Sequence, residues 1–448
     1  MSDLVAVDLG DWLAGMPMAG LEHSLVDQAG NHLLDTLGAM VAGQGERVAA
    51  VARAVHSAPG PVPLPGTDET REARDAAFAN AVAAHSLEID DTEGCDHSGA
   101  VVVPVLWSLN HGPDRQRLSR LLPALVAGYE VGRRVQLALG GYDEVNGRGW
   151  HSTATCGVFA AAAASAVMLA LEAEQAAAAL GIAASAAAGT WAFAADGAMT
   201  KQLHAGNAAR AGLEAALLAA GGATGPLHVF EDVWGGFLRA YGGDPRAVGR
   251  LTAELGSTWH FRHSAIKPYA VCRSAHSAID ALTGILRDAD VDASEVAEVR
   301  LHVSDFLRPM ICPARPRDAA QARMSLPIAA ALVLDGSGLM PHDFDAFDSK
   351  RVQDRLDQIV VVRDPAADAE PLVEVRARGR LHRRRGTRVR GGQEDPLTAL
   401  EVRRKFARLA VPVIGADGAA TLQRWVDSAV LACPRAASVS PRSTRSPS

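Results

Sequence analysis

The stretch "ATCGVFAAAAASAVMLAL", residues 154–171, limits the fold more than any other part of the chain. It carries no charge and few large side chains, and it lies between His151 on one side and Glu172 and Glu174 on the other. Its length is that of a membrane-spanning helix, about 20 residues. Alanine-rich sequence with titratable flanks fits a different role: a helix buried on all sides, whose small residues let neighbouring helices approach closely. A chain built around such a helix must be mainly α, with other helices packed against every face, and no membrane partner is expected.

The surrounding pattern agrees. Up to about residue 264 apolar residues recur at helical spacing, as in Leu25, Ala29, His32, Leu33 and Leu37. "APGPVPLPGTDET" breaks this pattern as a loop, a helix is expected over Arg71 to His85, and "NAARAGLEAALLAAGG" ends at a glycine stop. From about Lys267 the texture changes. "VAEVRLHVSDF", "DQIVVVRDP" and "LVEVRARGRLH" alternate with period two, beside the helical "HSAIDALTGILRDA" and "SLPIAAALVLDG". After Pro396 the chain turns helical again. The expected organisation is a large helical domain built from residues 1–264 and 397–434, an α+β domain over 265–396, and a disordered tail at 435–448.

Composition removes several function classes. The 448 residues are 48% hydrophobic, enough for sizeable cores, and the formal charge of -7 offers no general attraction for nucleic acid. Five widely spaced cysteines and no CxxC argue against zinc ribbons, dithiol redox motifs and iron–sulfur clusters. An odd cysteine count and acids in place of a basic leader point to the cytoplasm. The Arg-rich "VRARGRLHRRRGTRVRGG" reads as a strand whose Arg376, Arg378 and Arg380 face solvent.

Four stretches place titratable residues inside apolar helical sequence. "AHSLEIDDTEGCDHSG" holds His85, Glu88, Asp90, Asp91, Thr92, Asp96 and His97, and can be read as acids capping a helix or as a polar site. Its spacing matches no strong metal motif. "GRGWHSTATCG" places His151 at a helix start, where Ser152 or Thr153 can cap and the backbone N–H groups can receive a carboxylate. In "MTKQLHAGNAAR", Lys201 and His204 are three residues apart and share a helix face. "KPYAVCRSAHSAIDA" sets Lys267, Tyr269, Cys272, Arg273 and His276 at the junction of the two domains, where ligand clefts are common.

In this order the four stretches resemble the MmgE/PrpD family, which includes 2-methylcitrate dehydratase, cis-aconitate decarboxylase and iminodisuccinate epimerase. "AVAAHSLEIDDT", "GWHSTATCG", "DGAMTKQLHAGNAARAGLEAALLAAGGATGP" and "KPYAVCRSAHSAIDA" carry the resemblance, which extends over nearly the whole chain. It implies a homodimer of all-helical domains, each with an inserted α+β lid, working without a cofactor or an essential metal on a small anionic (poly)carboxylate. It also places family site residues at Thr92, His97, His151, Lys201, His204 and Lys267; His97, His151, Lys201 and Lys267 are the expected catalytic residues, Thr92 and His204 are expected on the substrate with Glu88, and the junction cleft adds Tyr269 and Arg273. Glu88 stands where family members commonly have aspartate, and Cys272 where the decarboxylase branch has histidine.

The chemistry this implies breaks a bond beside a carboxylate. Charge then develops on carboxylate oxygens and calls for cations, here Lys201 and Lys267. Imidazole suits the proton transfer, and His97 and His151 are the pair. Cys272, if partly thiolate beside Lys267, would serve as a second base. The expectation is a dehydratase of a hydroxy di- or tricarboxylic acid; alternatives are a dicarboxylate epimerase, a decarboxylase and a non-catalytic binding protein.

Overall fold

The computed structural model describes residues 4–111, 117–313, 315–364, 371–386 and 389–436. Nearly all of the expected tail lies outside the described residues. The principal helices of the larger part are α1 (Val5–Ala19), α2 (His23–Gly43), α3 (Ala73–Ala84), α4 (Ser98–Asn110), α5 (Leu121–Ala138), α6 (Gly157–Leu169), α7 (Ala173–Ala184) and α8 (Thr200–Ala220). The smaller part contains α9 (His276–Asp288), β1 (Val296–Val303), α10 (Leu326–Leu334), β2 (Ile359–Arg363), β3 (Leu372–Ala377) and β4 (Arg380–Arg385), and α11 (Ala399–Ala432) follows it.

The alanine-rich run becomes α6, preceded by the short turn of helix Ser152–Thr155, and the segment from Ser152 to Leu169 is 94% buried. Small residues on both sides explain how this is possible. A Cβ at Gly212 of α8 would strike Ala161 and Val158 of α6, and one at Gly128 of α5 would lie 2.9 Å from the Ala160 carbonyl oxygen. Helices α4, α5, α7 and α8 therefore surround α6 at close range. The α2–α3 contact is tighter still, because a Cβ at Gly43 would run into the carbonyl oxygen of Ala83. Gly43→Ala is expected to lower stability by about 1–3 kcal/mol, the usual range for overpacking, measured as a lower denaturation midpoint with unchanged slope.

A second hydrophobic core gathers residues 270–377. The strand order is β2-β1-β3-β4, with β1 parallel to β2 and antiparallel to β3. Val299, Leu301, Val303, Val373 and Val375 are buried in this core with Ile279, Leu282 and Ile285 of α9. The expected single strand "LVEVRARGRLH" is instead a hairpin: Arg378 and Gly379 have φ of 50° and 72° and turn β3 into β4. Arg376, Arg378 and Arg380 are solvent-exposed, as expected, with Arg378 and Arg376 paired to Glu295 and Glu298 across the sheet.

After Pro396, α11 packs on α2. Val402, Lys405, Phe406 and Leu409 form its buried stripe, and the chain leaves helical geometry once, at Gly415. Leu409 also joins the second core, together with Ala39, Leu87 and Ile89.

Candidate active site

The loop between α3 and α4, residues 85–97, organises the site. Three non-glycine residues in it have positive φ: Glu88 at 54°, Glu93 at 63° and Asp96 at 96°. Such conformations persist only where the surroundings hold them. Here Asp91 accepts hydrogen bonds from the Gly99 N–H at 2.8 Å and the Tyr129 hydroxyl at 2.5 Å, and Thr92 exchanges backbone bonds with Ala265 at 2.8 Å. From α11, the Lys405 ammonium donates to the Ile89 carbonyl at 2.6 Å and pairs with Asp35 at 2.6 Å.

The loop carries two carboxylates inward, and each organises cations. Glu88 pairs with Lys201 and, at 3.3 Å, with Lys267, whose ammonium also donates to the Glu88 carbonyl at 2.9 Å. One oxygen of Asp90 accepts from Nδ1 of both His85 and His97 at 2.9 Å, while its other oxygen lies 4.0 Å from Lys267. All six side chains are buried. Removing them from water would neutralise isolated charges; pairing favours the charged forms of Glu88, Asp90, His97 and Lys267, whereas burial lowers the pKa of His85 in spite of Asp90. Burial pushes Glu88 and Asp90 upward, yet the ammonium groups and imidazoles around them hold both carboxyls below the usual range. For Lys267 burial works downward and is overcome by Glu88 and Asp90, which raise it.

The histidines divide by environment. Burial lowers His97, but Asp90 and Asp96 outweigh it and raise its pKa, favouring the charged ring. His151 is pushed well below its ordinary value by burial, reinforced by His85 and His204, so it is neutral. Trp191 and Phe193 sit 5.3 Å from its ring, which accounts for the dryness. His204, lowered to about 4 chiefly by burial, meets His151 Nδ1 to Nδ1 at 3.0 Å. Of these two neutral rings one must donate and the other accept. If His151 is the donor, its Nε2, which is buried without a partner, is a bare acceptor.

The structure thus brings His97, His151, Lys201, Lys267, Glu88 and His204 into one cluster, with Cys272 near enough to sense Lys201, Glu88 and Lys267. The thiolate expected at Cys272 is not supported: burial raises its pKa despite both lysines. Slow reaction of Cys272 with iodoacetamide at pH 8 in the native protein, and rapid reaction after denaturation, is the expected outcome by mass spectrometry. His204 contacts a histidine partner, which ties it to proton chemistry more than to substrate. Tyr269 turns away, donating to Asp280 at 2.8 Å, and Arg273 pairs with Glu93. Thr92 is held by its backbone and lines a cavity of about 320 Å3 with Asp96, Arg133, Tyr142 and Arg273. A second cavity, of about 430 Å3, reaches Glu88 and Lys201 from the side of Arg47 and Met324. The expected caps at Ser152 and Thr153 are also absent, since neither side chain caps the helix and the Ser152 hydroxyl faces Asn146 and Asp96.

His85, Asp90 and His97 are the set most suited to a cation, their ligand atoms lying within 4.8 Å of one another. Both imidazoles give their Nδ1 protons to the same carboxylate oxygen, and Lys267 neutralises the other, so the arrangement is one of proton holding and no metal is assigned to it. Sequence reasoning read His85, Asp90 and Asp96 only as part of a helix-capping or polar stretch, and it missed Lys405 altogether. A lysine inside the apolar stripe Val402–Phe406–Leu409 was the available signal.

The MmgE/PrpD N-terminal domain model matches residues 7–250 and the C-terminal domain model residues 269–429. A cis-aconitate decarboxylase-like protein of Aspergillus oryzae is 29% identical over 97% of this chain and 96% of its own length. Human cis-aconitate decarboxylase is 30% identical over 73% of this chain and 70% of its own, and that of Aspergillus terreus 34% identical over 47% and 45%. The chain belongs to the MmgE/PrpD family and is an enzyme.

Proposed function

We propose that this enzyme is a lyase that breaks a bond beside a carboxylate of a small di- or tricarboxylic acid, and that its reaction is dehydration of a hydroxy acid. The observation that carries this reading is the juxtaposition of two buried ammonium groups with two imidazoles whose surroundings push their pKa values in opposite directions. Neutral His151 takes the proton from the carbon beside the carboxylate through Nε2. The electron pair moves onto the carboxylate oxygens, where Lys201 and Lys267 stabilise it. The new double bond forms as the hydroxyl on the next carbon leaves, taking a proton from His97 and departing as water. Asp90 keeps His97 charged, Glu88 keeps both lysines extended, and His204 orients His151.

A second reading, decarboxylation, is favoured by the names of the curated relatives. It needs the same two ammonium groups, with carbon dioxide leaving and His97 protonating the resulting carbanion. Epimerisation loses its motive here, because it relied on Cys272 as a second base. Residues 265–396 acting as a lid and a homodimer as the working unit belong to the same proposal, and light scattering reads the latter directly.

Candidate hydroxy and unsaturated di- and tricarboxylates incubated with the enzyme in deuterium oxide separate these readings. Dehydration gives a new alkene absorbance without gas; decarboxylation releases carbon dioxide; epimerisation incorporates deuterium without either. Failure of every acid to react would overturn the proposal.

A further inference from the structure

The dehydration just described leaves the enzyme in the wrong state for another turnover. His151 ends protonated and His97 neutral, so a proton must pass from one to the other before the next substrate binds. The two rings do not touch through their reactive nitrogens; both Nε2 atoms face Asp96. Its Oδ1 is 3.6 Å from Nε2 of His97, and its Oδ2 is 3.9 Å from Nε2 of His151. The Ser152 hydroxyl lies 3.5 Å from the same Oδ2. The other ring nitrogens are committed, to Asp90 and to His204.

We propose that Asp96 is the proton relay that resets the acid–base pair between turnovers. One carboxylate oxygen takes the proton from His151 Nε2, the carboxyl group rotates to turn that oxygen toward His97, and the same proton passes to His97 Nε2. One N–H bond breaks and one forms, no net proton is consumed, and Asp96 ends as it began. Gaps of 3.6 and 3.9 Å exceed direct hydrogen bonds, and a small rotation of the side chain or one intervening water closes them. The timing also fits, since the relay acts when no substrate carbon lies between the rings.

Two further observations support this. Asp96 has φ of 96°, a conformation costly for an aspartate and held by a Gly94 N–H bond to its carbonyl at 3.3 Å. Strain of this kind is kept where it aims a side chain. Asp96 is also the member of the histidine environment that lines the 320 Å3 cavity, beside Arg133, Tyr142 and Arg273. The relay therefore connects the buried pair to solvent, which the decarboxylation reading would need as its proton source.

The inference rests on the acid–base roles given to His97 and His151, and two measurements keep the outcomes apart. In Asp96→Asn, kcat is expected to fall about 100-fold, the scale of a lost proton-transfer group, with little change in KM. Formate or imidazole buffer should restore part of that rate in proportion to its concentration, and Asp96→Glu should retain more activity than the amide. Independently of turnover, exchange of the His97 and His151 ring protons with solvent, followed by nitrogen-15 NMR, should slow at least tenfold in Asp96→Asn. Unchanged exchange in that variant, or a lost rate that no buffer restores, would overturn the relay. An inactive wild-type enzyme with Asp96-dependent exchange would leave the relay standing and overturn the lyase reading.

Discussion

Lys267→Met is expected to reduce kcat/KM by at least about 100-fold and to lower stability by about 3–5 kcal/mol. Both effects come from one buried ammonium. It donates to the Glu88 carbonyl and carboxylate and lies 4.0 Å from Asp90, all three groups being buried. Methionine fills the volume but takes away the ammonium that Glu88 and Asp90 share, leaving Lys201 for Glu88 and His85 and His97 for Asp90. Acid sensitivity should move with the stability. Glu88 and Asp90 have depressed pKa values in the folded protein, so they contribute stability above their ordinary values of 4.5 and 3.8 and lose it as pH falls further. With Lys267 gone the depression shrinks, and the acid unfolding midpoint should rise. Steady-state kinetics, urea melts at neutral pH and an acid titration of circular dichroism measure the three consequences. A variant with unaltered kcat/KM would remove Lys267 from the chemistry even if its stability fell.

His151→Gln should lower kcat by about 100- to 10,000-fold with KM little changed. Glutamine can still hydrogen-bond His204 but cannot accept and hold a proton. Because His151 is neutral in the folded protein, no buried charge is left unpaired, and stability should change much less than in Lys267→Met. The pH–rate profile gives the sharper test. His151 must be neutral and His97 charged, one pKa lying below 6.5 and the other above, so wild-type kcat/KM should show a plateau that spans pH 6.5. The apparent values belong to the coupled group of four histidines. In His151→Gln the acidic limb should disappear while the basic limb remains.

How much of this was legible in the sequence depended on whether a residue's neighbours along the chain are also its neighbours in space. The small-residue run of α6 announced its own burial, because nothing else suits so many alanines. Period-two alternation found β1 and β2, and it found β3 with β4 but missed the turn, since Arg378 and Gly379 do not interrupt the alternation. Lys201, Lys267, His97 and His151 stood out as titratable groups in apolar sequence, and the family resemblance joined them. The partners that tune them were not legible. Asp90 serves two histidines only because the loop folds back on itself, and Glu88 meets Lys201 and Lys267 from 113 and 179 residues away. Cys272 was misjudged for the same reason: proximity to lysine can be read from sequence, whereas depth of burial, which decides the thiol's pKa, cannot.

Lys405 has a consequence for biosynthesis. It reaches across 316 positions to brace the segment bearing Glu88 and Asp90. During translation that segment emerges long before its brace, and it stays unsupported until α11 leaves the ribosome and docks. Nonsense mutations before codon 405 should therefore abolish turnover even where most of the helical layer survives, and the nascent enzyme stays inert until then.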